Sequence, residues 1–179
     1  MTFPEIPGYA IVKKLGEGEF RQTYRAWKTL EVRHKTREKI GEYFEGDRAE
    51  IHPCAIKIYK SEEFISSGLE ELRVLRDLER HESLEKLYNF GKTEDGRIFT
   101  ETELIDGQPV LKKDFEDVDG VRRCIGSRFT RTFTPKEAIT IALRLADGLE
   151  YLHRRGYVVR DLNLTNVMVN GDLSVVKIC

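Results

Sequence analysis

Residues 134–156, TPKEAITIALRLADGLEYLHRRG, mark both ends of one helix. Thr134 and Glu137 have capping-box spacing, in which each side chain satisfies a backbone N–H at the other's position. Pro135 takes the first helical position, where an N–H would have no partner, and Gly156 stands just past the last turn. Ile139, Ala142, Leu143, Ala146, Leu149 and Leu152 form an apolar stripe wide enough to need cover from two sides. The chain must therefore build other layers around this helix, and most of what precedes it reads as strands.

Tyr9, Ile11, Lys13 and Leu15 alternate with Ala10, Val12 and Lys14 and run into glycines, which predicts a strand entering a turn, with RQTYRAWKTLE as the returning strand. Residues 31–50 are charged and aperiodic, as in a solvated insertion ahead of the strand HPCAIKIYK. A helix is expected over 61–80, opened by Ser61 with Glu62 and Glu63 in its first turn. LEKLYNFGK and RIFTETELI read as two strands around the turn residues EDG. Residues 106–133 show no period. The segment NVMVNGDLSVVKI predicts a closing hairpin turning at Asn170 and Gly171.

The 179 residues, 40% hydrophobic and 34% charged, suit a globular chain and exclude a disordered or collagen-like one. Thirty Lys and Arg balance thirty-one Asp and Glu, so no global basic field argues for nucleic acid or an anionic membrane. No signal-like start and no membrane-spanning run occurs, which predicts a cytoplasmic protein. Cys54, Cys124 and Cys179 are odd in number and scattered, as reduced structural thiols would be.

Three stretches carry chemistry. LGEGEFRQTY places two glycines between strands, where backbone can approach a phosphate or simply turn. In CAIKIY, alternation puts Cys54, Ile56 and Ile58 on one face and Ala55, Lys57 and Tyr59 on the other. Lys57 is there either a snorkelling surface residue or the partner of a carboxylate, and Glu71, sharing a helical stripe with Leu75 and Leu78, needs such a partner. Glu70, beside Val74 and Asp77, takes the exposed role. In RDLNLTN, Asp161 and Asn166 read as a base and an oxygen ligand for Mg²⁺, or as an Asx-rich turn.

In this order the three stretches make the chain resemble the protein kinases of the eukaryotic-like serine/threonine type, from Tyr9 to Cys179. The resemblance implies an α+β fold. Residues 1–105 would be an antiparallel-sheet N-lobe with one main helix and an insertion at about 30–52, and 106–179 the hinge exit and the beginning of a mainly helical C-lobe. It implies ATP, Mg²⁺ and a protein substrate. Gly16 and Gly18 would roof the phosphates with Phe20 at the loop tip, and Lys57, paired with Glu71, would hold the α- and β-phosphates. Asp161 would accept the substrate hydroxyl's proton and Asn166 would bind Mg²⁺. Leu15, Thr23, Ala55 and Met168 would sandwich adenine, Thr102 would guard the back of that pocket, and Glu103 to Ile105 would bond the base through backbone.

Four features depart from the family pattern. Arg21 stands at the third glycine, Thr23 at a usual Val and Val159 at the His of H-R-D. Asn163 stands where serine/threonine kinases usually carry a Lys that neutralises the γ-phosphate, so a Lys there would be expected to raise turnover. The sequence stops at Cys179, where the family continues with Asp-Phe-Gly, so the chain alone is expected to be inactive and poorly stable. A pseudokinase scaffold and a small-molecule phosphotransferase of the aminoglycoside-kinase type are the alternatives; Arg160 and LGEGEF argue against the latter.

Overall fold

The computed structural model describes residues 3–18, 21–31, 44–45, 48–60, 72, 76, 78–119, 121–160 and 162–179. The chain divides into two compact units, one of residues 1–78 with 86–104 and one of 79–85 with 105–179. The segment 79–85, which a single cut near residue 105 would leave in the first part, groups with the second.

In the first unit, strands β1 (Tyr9–Glu17), β2 (Arg21–Glu31), β4 (Arg48–Tyr59), β5 (Leu87–Lys92) and β6 (Ile98–Glu103) form an antiparallel sheet in the order β1-β2-β4-β6-β5, and β3 (Phe44–Glu45) pairs with β4. The β1–β2 and β5–β6 hairpins form where the sequence places them. β2 ends at Glu31 as expected, but β4 starts at Arg48, four residues before the expected His52, with register Glu31↔Arg48, so strand pairing reaches into the expected insertion. Cross-strand pairing overrode a charged, aperiodic sequence. The helix expected over 61–80 lies mostly outside the described residues; Leu72 and Arg76 are helical, and the chain bends at Leu78, two residues before the expected end.

Period-2 alternation holds along β4, where Cys54, Ile56 and Ile58 join Tyr24, Ala26, Phe99 and Ile6 in one apolar cluster. It fails along β1. Register shifts between Ile11 and Lys13 and between Lys14 and Gly16 insert two bulges. Tyr9 and Ile11 pack on the cluster, while Lys13 comes opposite Arg25 on the other face, so the four residues Tyr9, Ile11, Lys13 and Leu15 do not share a side. All six residues of β6 are buried, as expected of a strand with neighbours on both edges and cover on both faces.

In the second unit, helix α1 (Pro135–Arg154) has Thr134 as N-cap, the complete capping box with Glu137 and Pro135 at its start. Gly156 follows with φ +80°. Ile141, Gly148 and Leu152 are buried, and Ile141 and Leu145 pack with Val110, Val167, Val169, Leu173 and Val176. Of the predicted stripe only Leu152 is buried; Ile139, Ala142, Leu143 and Ala146 are exposed, and the covered face runs through Ile141, Leu145, Gly148 and Leu152 instead. Residues 106–133, aperiodic in sequence, contain β7 (Gln108–Pro109) and a hairpin of β8 (Leu111–Val118) and β9 (Val121–Phe129). Asp119, at φ 54°, begins its Asp-Gly turn, a signal the sequence did carry. A bulge between Asp114 and Phe115 helped to hide the alternation.

β10 (Val167–Val169) lies between β7 and β11 (Val176–Ile178). The register Val169↔Val176 leaves residues 170–175 as the connecting loop, so the turn is not the expected two-residue Asn170-Gly171. Asn170 Oδ1 accepts from Val175 N–H at 2.9 Å, and Leu173, not Gly171, takes positive φ, at 59°. The Asn side chain built a wider loop than the dipeptide alone specifies.

Gly107 is set by packing. A Cβ there would stand 2.7 Å from Val169 O and 3.0 Å from Val169 C, both backbone atoms of the central strand. Gly107→Ala is expected to destabilise the chain by about 1–3 kcal/mol, read as a fall in the urea midpoint. An unchanged midpoint would mean that β7 can move off β10.

Candidate functional site

One face of the first unit's sheet is organised in rows. Register places Gly16 opposite Thr23, Thr23 opposite Lys57 and Lys57 opposite Thr100. A neighbouring row runs through Arg25, Ala55, Thr102 and Leu87. Lys57 is therefore two strands from Gly16, about 10 Å at ordinary strand spacing, and points to the same side. Only 6% of Lys57 is exposed, far less than a snorkelling surface lysine would show. Glu71 and Glu70 lie outside the described residues, as do Phe20 and Asp161.

At the β1–β2 turn, Gly18 N–H donates to Arg21 O at 2.8 Å. A Cβ built on Gly16 meets no described atom within 4 Å, and one on Gly18 meets only Arg21 O at 3.7 Å. Neither glycine has positive φ. The described fold therefore places no steric demand for glycine at either position, while the missing side chains leave the backbone approachable. Glu17 between them is tied to Lys14 and Lys60, which hold its carboxyl down at about 2, Lys14 contributing most. Leu15 sits at the second bulge and is exposed.

Thr102 Oγ1 points at Ala55 O, 3.5 Å away, so these two expected pocket residues adjoin. Glu103 is bonded in both directions to Lys86: its N–H donates to Lys86 O at 2.9 Å and its Oε1 accepts from Lys86 N–H at 2.9 Å. Any backbone bond from Glu103 to a base is thus confined to its carbonyl.

The second unit holds the other candidates. Asn166 is the last residue of a 3-10 turn, Leu164–Asn166, and leads into β10, where Met168 pairs with Lys177 and Pro109. Asn163 is the N-cap of that turn. Its Oδ1 accepts from Thr165 N–H at 2.9 Å and from the Thr165 hydroxyl. The Asx-turn reading of RDLNLTN holds at Asn163. Ile105 is half-buried in this unit.

On the opposite face of the first unit's sheet is a polar cluster that sequence patterning missed. Glu101 is 0% exposed; its Oε2 accepts from Tyr9 Oη at 2.7 Å and Lys28 Nζ at 3.0 Å, and its Oε1 meets His52 Nε2 at 3.0 Å. Only the two glutamates within RIFTETELI, Glu101 and Glu103, hinted at it. Burial first, then the Glu101 hydrogen bond, raises the Tyr9 phenol well above its usual value, and burial followed by the Glu101 charge pushes the Cys54 thiol up to about 12. Both acids have raised folded values, so their contribution is present below the ordinary range near 9–10 and is lost as pH rises toward the folded values. The urea midpoint should fall from pH 9 to pH 11, less steeply in Tyr9→Phe. Equal slopes in parent and variant would remove Tyr9 from this account.

Among the described residues the three cysteines are free and no helix is long and apolar enough to cross a membrane.

The family described as protein tyrosine and serine/threonine kinase matches residues 9–179. Serine/threonine-protein kinase PLK4 of Drosophila grimshawi is 27% identical over 95% of this chain, which spans 19% of that protein. The kinase domain of Mycobacterium tuberculosis PknI, 19% identical, superposes with a TM-score of 0.65 over 97% of this chain and 59% of its own. Rad53 1-466, solved in complex with AMP-PNP, is 19% identical with a TM-score of 0.64 over 96% of this chain and 37% of its own. The chain thus spans less than two thirds of the length of each.

Proposed function

The chain belongs to the protein kinase family, and from that membership we propose that it binds ATP with Mg²⁺ and serves transfer of the γ-phosphate to a serine or threonine hydroxyl of a protein. The observation that carries the reading is the row Gly16–Thr23–Lys57, with Lys57 buried on a central strand. A buried cation in line with an approachable glycine backbone suits an anionic ligand laid along that face.

In this reading the Lys57 ammonium donates to the α- and β-phosphates, oriented by Glu71, and the backbone at Gly16 and Gly18 covers them beneath Phe20. Leu15, Thr23 and Ala55 lie against the base, with Thr102 behind it and Glu103 at its edge. The carboxamide oxygen of Asn166 fits a hard cation, and Asp161 takes the proton from the attacking hydroxyl. Mg²⁺, when bound, neutralises charge between the phosphates. The AMP-PNP complex of Rad53 supports the nucleotide class, and the serine/threonine kinase named among the relatives supports the hydroxyl class. Free cysteines, one of them exposed, suit a reducing compartment such as the cytoplasm.

A second reading, a nucleotide-binding module that transfers little or no phosphate, is favoured by Asn163, whose carboxamide is spent on Thr165 where a cation would otherwise face the γ-phosphate. Measuring MgATP binding and protein phosphorylation on one sample of the whole protein separates the two. Binding with transfer supports the first reading, and binding alone supports the second. No binding contradicts both.

A further inference from the structure

We propose that Asn163 is a positioning residue for Asn166, and that the loop uses this position for geometry instead of charge. The inference rests on the reading of Asn166 as an oxygen ligand for Mg²⁺.

Asn163 has extended backbone, φ −139° and ψ 160°, as an N-cap requires. Its side-chain oxygen takes both donors of Thr165, the N–H at 2.9 Å and the hydroxyl, so that Thr165 is fixed in backbone and in rotamer. Its backbone oxygen accepts from Asn166 N–H at 3.0 Å. The Asn166 carbonyl in turn accepts from Cys179 N–H at 2.8 Å, and the next residue, Val167, is 0% exposed opposite Ile178. Asn166 is thus held from behind by the core strands and from in front by the turn that Asn163 closes. A ligand carboxamide needs this kind of outer support, because side-chain freedom at a single oxygen ligand weakens metal binding.

Residue chemistry then reverses the expectation from charge alone. Lysine has three donors and no acceptor, so Asn163→Lys would leave the Thr165 N–H and hydroxyl without their partner and loosen the turn while adding its cation. Serine is short, uncharged and able to accept at an N-cap, so Asn163→Ser should keep the turn closed.

The test uses the 179-residue chain and its Asn163→Ala, Asn163→Lys and Asn163→Ser variants. Two quantities are read by NMR: amide hydrogen exchange at Thr165 and Asn166, and paramagnetic broadening of the Asn166 carboxamide by Mn²⁺ with ATP. Ala and Lys should speed exchange at Thr165 about fivefold, as for loss of a cap, and raise the Mn²⁺ concentration that broadens Asn166 by a similar factor; Ser should restore both. A purely structural cap would change exchange and leave the Mn²⁺ response as in the parent, which overturns the positioning role alone. Unchanged exchange in Asn163→Ala overturns the cap itself. Absence of broadening in the parent removes Asn166 as a metal ligand, and the proposal with it.

Discussion

Glu101→Ala should lower the unfolding free energy by about 3 kcal/mol, at the lower end of what breaking a buried charge pair costs. The carboxylate is wholly buried and receives bonds from β1, β2 and β4 through Tyr9, Lys28 and His52. Removing it leaves a phenol and an ammonium without their acceptor. Lys28 and His52 each keep about a third of their side-chain surface in water, which limits the penalty. Glu101→Gln, which keeps an acceptor for Tyr9 but loses the charge, should fall between parent and Ala. Replacing both Glu101 and Lys28 by Met should cost less than the sum of the single changes, because an apolar pair leaves no uncompensated charge. Additive single and double variants, measured by urea denaturation, would show that Lys28 and Glu101 do not interact.

Lys57→Met should weaken MgATP binding. Methionine keeps the unbranched stem and similar volume, so packing at this buried position is retained while the ammonium is lost. A charge-assisted hydrogen bond is worth about 1.5–3 kcal/mol, so MgATP affinity should fall roughly 10- to 150-fold. Equal affinity in parent and variant would take Lys57 out of the phosphate site. A collapse of the midpoint with little change in affinity among folded molecules would make Lys57 a structural residue.

What the sequence made legible followed local rules. The capping box, Pro135 and Gly156 defined α1 within a residue, because each acts on the backbone beside it. The faces of β4 followed from strict alternation, and with them the placement of Lys57. Bulges defeated the same rule in β1 and β8, since an extra residue flips every later side chain without changing composition. The Glu101 cluster was hidden because its members come from distant strands and meet only through register: Tyr9 opposite Lys28, Lys28 opposite His52, and Ile56 opposite Glu101. Asn163 was read against a charge that other kinases carry there, which obscured its cap to Thr165. Glu71 and Asp161 lie outside the described residues, so their roles stay with the proposal.

The central claim is that nucleotide lies along the Gly16–Thr23–Lys57 face of the sheet. Its most direct test is the pattern of backbone amide shifts when MgATP is titrated into the isotope-labelled chain. The largest changes are expected at Gly16, Gly18, Thr23, Ala55, Lys57 and Thr102, with Lys28 and His52 on the opposite face little moved. Changes centred on Tyr9, Lys28 and His52, or none at saturating MgATP, would contradict it.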